Sequence, residues 1–170
     1  MSGAEYKKAI QAAEKVLKEN YVLSPPVLVE DLARNFGFSI EEVSFPKNED
    51  VSGIIKPEQR LIYINKNDPR TRKNFTIAHE IGHWLLHQDI LVDGSGKYNV
   101  LFRRPLGQLN TDPIESEANC FAANLLVPKE FLNQYSYLIK RNLAPIDVLA
   151  DLFAVSIDVI GYRLKYEQSK

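Results

Sequence analysis

The sequence predicts an α+β fold, with a small antiparallel or mixed sheet packed on two central helices and further helices at the C-terminus. Three observations lead there. Runs rich in β-branched and aromatic residues fall within 38–65. Helical apolar periodicity governs the chain before and after them. Two Asp-Pro steps, at 68–69 and 112–113, open the strongest helical segments. Proline's fixed φ and missing N–H suit a first helical turn. With 170 residues, 45% of them hydrophobic, the chain is long enough for one domain, 1–170, around its own core.

In chain order, Met1 to Asn20 is a charged amphipathic pattern, giving a helix at 4–19 and no signal peptide. A second helix near 26–36 is opened by Ser24-Pro25-Pro26 and stopped at Gly37. Strands follow at 38–45, 51–56 and 60–65, the last two joined as a hairpin by Lys56-Pro-Glu-Gln59. Strand 60–65 reads either as an edge of the sheet, where an extended peptide could pair with it, or as simply a buried strand. A helix over 69–88 takes Asp68 as its N-cap, and Phe75, Ile77, Ala78, Ile81, Trp84, Leu85 and Leu86 supply a broad apolar face. Residues 88–111, with Gly94, Gly96, Pro105 and Gly107, read as a long loop that covers or lines a cleft. Asp112-Pro113 opens the next helix and Pro128 ends it, with Ala118, Phe121, Ala122, Leu125 and Leu126 as its stripe. Residues 129–141 are helical by composition, and 146–166 give two more helices.

The chemistry concentrates in Phe75-Thr-Ile-Ala-His-Glu-Ile-Gly-His-Trp-Leu-Leu-His87, which holds all three histidines of the chain. Residues four apart share a helix face, so His79 and His83 can present two imidazoles to one point. Glu80 can reach water beside that point. Two neutral imidazoles and an adjacent carboxylate are the parts of a zinc hydrolase. Gly82 costs about 1 kcal/mol against alanine in a helix interior. Close approach of another element is the expected reason for it.

A catalytic zinc usually takes three protein ligands. Leu86 and Asp89 stand where the extended HExxHxxGxxH pattern needs glycine and histidine, so the third ligand lies elsewhere. Glu115, in the first turn of the helix after Asp112, is the candidate. Asn119 follows one turn later on the same face and could hold a ligand imidazole. Glu117 is the competitor, but it points about 200° away around the helix. Ala118, Ala122 and Ala123 would let this helix pack closely on the histidine helix. Cys120, the single cysteine, reads as a small core residue.

Together, FTIAHEIGHWLLH and ESEANCFAANLLVP resemble the ImmA/IrrE-type metallopeptidases, a gluzincin-like family, over roughly residues 50 to 165. The strand Leu61-Ile-Tyr-Ile-Asn65 before the Asp68-Pro69 turn fits the same pattern. The resemblance implies a zincin-like fold, with Zn2+ held by His79, His83 and Glu115 and with Glu80 as general base. It also implies a protein substrate, a helix-turn-helix repressor whose cleavage switches genes on. The sequence ends soon after the motif region, so a C-terminal sensor domain, which some members carry, is not expected. On this reading zinc polarises the scissile carbonyl and acidifies water, and Glu80 carries the proton to the leaving amine. Tyr63, Tyr98 and His87 are candidates for a second donor to the oxyanion; His87, one turn after His83, is read as a residue that supports a ligand or faces substrate, or equally as an ordinary surface residue.

Net charge is −1 and no basic block is present, which offers no electrostatic footprint for nucleic acid or an anionic membrane. No apolar run approaches spanning length, and one cysteine excludes an internal disulfide; the cytoplasm is the expected location. Two other functions compete. Residues 146–164 resemble a helix-turn-helix with Ser156 capping its second helix, as in a DNA-binding regulator. That helix offers Asp158, Arg163 and Lys165 beside Ile157, Val159 and Ile160, which suits a core better than a groove. A non-catalytic repressor-binding module is the other.

Overall fold

The computed structural model describes residues 4–46, 51–91, 100–102, 112–135, 138–139, 141 and 145–168. Helices α1 (Tyr6–Glu19) and α2 (Val29–Asn35) come first. Gly37, at φ +82°, supplies the left-handed turn that leads from α2 into strand β1 (Ser39–Val43). The Pro25-Pro26 step lies ahead of α2 rather than at its first turn, since Leu28 is the N-cap. Strands β2 (Val51–Lys56) and β3 (Leu61–Asn65) form the expected hairpin, closed by a 3-10 turn at Pro57–Gln59. Arg60 stacks over the Trp84 ring at 4.4 Å and ties that hairpin turn to the next helix.

Helix α3 spans Arg70–Leu86. Its N-cap is Pro69, not Asp68 as the sequence suggested. The Asp68 backbone N–H instead donates to the Asn65 carbonyl at 3.1 Å, so Asp68 closes a turn leaving β3 before the helix begins. The segment 88–111 is not simply a loop. It contains a short helix α4 (Gln88–Leu91) and a strand β4 (Val100–Phe102) that pairs antiparallel with β2. Gly94, Gly96, Tyr98, Pro105 and Gly107 lie outside the described residues. Next, α5 (Pro113–Leu126) has Asp112 as its true N-cap, with the carboxylate accepting from the Ile114 N–H at 3.1 Å. Helix α6 (Lys129–Gln134) is capped at Tyr135, and residues 138–139 are helical again, so the helix expected over 129–141 is interrupted rather than continuous. Helices α7 (Ile146–Phe153) and α8 (Ile157–Gln168) are joined through Ala154, at φ +52°.

The sheet order is β1-β3-β2-β4, with β1 parallel to β3 and the other pairs antiparallel. Strand β3 is therefore interior. The reading of 60–65 as an edge was wrong, because β1 takes its outer side in register from Ser39–Leu61 to Val43–Asn65. With both sides paired, β3 has no free ladder to offer a peptide. The edges among the described strands are β1 and β4.

Helix α3 runs through the middle of the molecule, with β2 and β3 on one side and α5 on another. Every residue from Phe75 to His83 is buried. The α3–α5 seam is close because both faces are small. A Cβ at Gly82 would lie 2.9 Å from Phe121 Cδ1 and 3.3 Å from the Ala118 carbonyl oxygen. Ala118, Ala122 and Ala123 are fully buried, and Cys120 is a buried core residue. In α8 the Arg163 side chain is fully buried; its Nε donates to the Val127 carbonyl at 3.0 Å and its Nη2 pairs with Glu167 at 3.1 Å. Among the described residues no helix is long and apolar enough to cross a membrane. Gly82→Val is expected to cost about 1–3 kcal/mol by overpacking the seam, read as a lowered thermal midpoint.

Candidate metal centre

The α-helical pitch stacks His79 and His83 on the α5-facing side of α3. Their Nε2 atoms are 2.9 Å apart. Glu115, in the first turn of α5, closes the group: its two carboxylate oxygens lie 3.4 Å from His79 Nε2 and 3.2 Å from His83 Nε2. One donor atom from each of the three residues falls within 4.8 Å of the others. His79 Nδ1 donates to Asn119 Oδ1 at 3.0 Å. That bond fixes the tautomer and leaves the Nε2 lone pair directed at Glu115 and His83.

Burial pushes the His83 pKa below the ordinary histidine value, and the neighbouring His79 adds to this. A neutral imidazole is the form that ligates. Burial acts against ionisation of Glu115, yet the adjoining His79 and His83 imidazoles hold its pKa well below the carboxylate range. The three residues thus carry the charge and lone pairs a divalent cation requires. Two nitrogens and one carboxylate form a donor set suited to zinc.

Glu80 is fully buried beside this group, and among the described residues neither carboxylate oxygen has a hydrogen-bond partner. Burial, and secondarily the Glu115 charge, raises its pKa well above the usual value. A nearby cation acts in the opposite direction. An orphaned buried carboxylate next to converging donors fits a site for a divalent cation.

His87 and Glu117 lie elsewhere. His87 Nε2 is 3.4 Å from Glu117 Oε2, and Glu117 Oε1 accepts from the Glu5 backbone N–H at 2.7 Å. Glu117 therefore faces α1 and the end of α3, not the three donors. The His87 ring centroid is 5.8 Å from that of His83. Burial, then the proximity of His83, lowers the His87 pKa. The Tyr63 ring lies under Lys56 Nζ at 5.3 Å. The sequence did not single out Gly53 and Thr76, which border Glu80: a Cβ at Gly53 would meet Thr76 Cγ2 and come within 3.6 Å of Glu80 Oε1. A glycine inside a strand was the available signal.

Residues 33–165 match the IrrE N-terminal-like domain family, Peptidase_M78. The chain belongs to this metallopeptidase family. It is 29% identical over 128 residues to an uncharacterized immunity region protein 2 of Bacillus phage phi105, covering 74% of this chain and 73% of that protein. Metallopeptidase ImmA of Bacillus subtilis is 28% identical over 101 residues, 56% of this chain and 54% of ImmA. Radiation response metalloprotease IrrE of Deinococcus deserti is 36% identical over 83 residues, 48% of this chain but 27% of IrrE. A Mycobacterium tuberculosis transcriptional regulator shares the fold, with a TM-score of 0.64 at 20% identity over 93% of this chain and 46% of the regulator.

Elemental analysis of the purified protein should find about one zinc per chain. His83→Ala and Glu115→Ala should each lose it, whereas Glu117→Ala should retain it.

Proposed function

We propose that this protein is a zinc-dependent endopeptidase that cleaves a helix-turn-helix repressor, or a similar regulatory protein, and so derepresses genes. The observation that carries the reading is the convergence of His79, His83 and Glu115 within 4.8 Å, with the buried Glu80 carboxylate alongside. A zinc ion held by those three side chains would supply Lewis acidity toward a peptide carbonyl and toward water.

The remaining steps belong to the chain's own residues. Glu80 accepts the proton of the attacking water and returns it to the departing amine. Its burial keeps competing solvent away and leaves its oxygens uncommitted to other donors. Asn119 holds the His79 ring by its Nδ1 proton, so that Nε2 stays available for ligation. His87 Nε2 lies 3.4 Å from Glu117 Oε2 where the end of α3 meets α5. The family relationship to metallopeptidases, and the likeness to an immunity region protein of a phage, support a regulatory protein as substrate. A lone, buried cysteine and the absence of a spanning helix among the described residues accord with a cytoplasmic site of action.

The α7–α8 pair is two helices joined by a short turn, but Arg163 is turned into the core and the exposed start of α8 carries Asp158. A DNA phosphate backbone would meet little positive charge there.

Glu80→Gln should bind about one zinc per chain yet lose at least ~10²-fold in repressor cleavage, followed by gel electrophoresis of the candidate repressor. A variant that still supports gene switching as wild type does would point to the non-catalytic module. Asn119→Ala should weaken zinc binding about 10–100-fold, measured by competition with a chromogenic chelator.

A further inference from the structure

We propose that Gly53 of β2 is a positioning residue for the Glu80 carboxylate, acting through Thr76. The inference rests on Glu80 serving as the proton carrier, as set out above.

Gly53 does not occupy the left-handed region of backbone space: among the described glycines only Gly37 has a positive φ. Its backbone conformation is therefore open to any residue. Space, not conformation, is what demands glycine. A Cβ built there would overlap Thr76 Cγ2, lie 3.0 Å from the Tyr63 carbonyl oxygen and lie 3.6 Å from Glu80 Oε1. The Tyr63 oxygen belongs to the backbone of the paired strand β3 and cannot yield without breaking register. Relief must therefore come from α3, where Thr76 stands one turn before Glu80. Thr76 is fully buried within a close-packed helix face, so its methyl has nowhere to withdraw.

The β2 segment is also held in place. Arg72 Nε of α3 donates to Ser52 Oγ at 3.1 Å, and Asn65 Nδ2 donates to the Val51 carbonyl at 2.9 Å. A register shift between Val51 and Gly53 marks a bulge against β4 at this point. Pinned on both flanks, β2 lays its bare backbone against Thr76 and Glu80. Because Glu80 has no hydrogen bond among the described residues, packing against Gly53 and Thr76 sets where its carboxylate sits. A methyl group on residue 53 would press α3 away and shift that carboxylate, while the donors His79, His83 and Glu115 lie on the α5-facing side.

The test compares wild type with Gly53→Ala, Thr76→Ser and the double variant by crystallography of the zinc-loaded proteins, zinc content and cleavage of a fluorescence-quenched peptide pool. Gly53→Ala should keep about one zinc per chain and move the Glu80 carboxylate by more than about 0.5 Å. It should lower kcat at least ~10-fold with KM within about twofold. Thr76→Ser in the Gly53→Ala background removes the methyl that collides and should restore both position and kcat. If Gly53→Ala does not fold, a folded double variant with normal zinc supports the same conflict; an insoluble double variant overturns it. An unmoved Glu80 in Gly53→Ala, or no rescue by Thr76→Ser, overturns the proposal. If wild type cleaves nothing, the peptidase reading fails by itself, and the crystal comparison still decides whether Gly53 sets the carboxylate.

Discussion

The close approach of α3 and α5 is the constraint on which the site depends. Two histidines on α3 cannot complete a donor set; the carboxylate must come across the seam. Gly82 facing Phe121 and Ala118, with Ala122 and Ala123 alongside, brings the helices near enough for Glu115 to reach both imidazoles. Asp112 and Pro113 set where α5 begins, and so which turn of it carries the carboxylate. The same seam carries Asn119 to His79. Packing and ligation are thus one feature: small side chains in the core determine where charged atoms meet.

Electrostatics then divides two neighbouring carboxylates. Glu115 is held ionised by its two imidazole partners, whereas Glu80, one residue from His79, is buried without a partner among the described residues and favours its proton. Environment separates an anchored charge from a carboxylate that favours its neutral form, although both are the same side chain. Burying an unpaired carboxylate is costly for folding. The fold sustains it with a core that encloses α3 from the sheet and from α5.

Much of this was legible in the sequence. The histidine spacing, the Asp112-Pro113 cap and the β-branched and aromatic run at Leu61–Asn65 are local signals, and each element formed where composition, periodicity or proline chemistry indicated. Gly82 was readable because a costly residue in a helix needs a compensating contact. The errors came where tertiary pairing decides. Asp68 has the same neighbour as Asp112, but the exit from β3 uses it in a turn. Strand β3 looked like an edge because its parallel partner, β1, lies across a crossover that no local pattern reveals. The three-residue β4 is too short to show a period of two. Gly53 has meaning only once a helix is laid across its strand.

The contact between Glu5 and Glu117 has a bearing on where the functional unit begins. Helix α1 packs along α5, and its entry is latched onto the residue two positions beyond Glu115. The family match starts only at residue 33. A fragment trimmed to that boundary would keep every donor atom and still lose the outer wall against which the carboxylate-bearing helix rests. Ancestry and mechanical integrity therefore draw different borders on this polypeptide, and the earliest residues belong to the site's scaffolding although they share none of its chemistry.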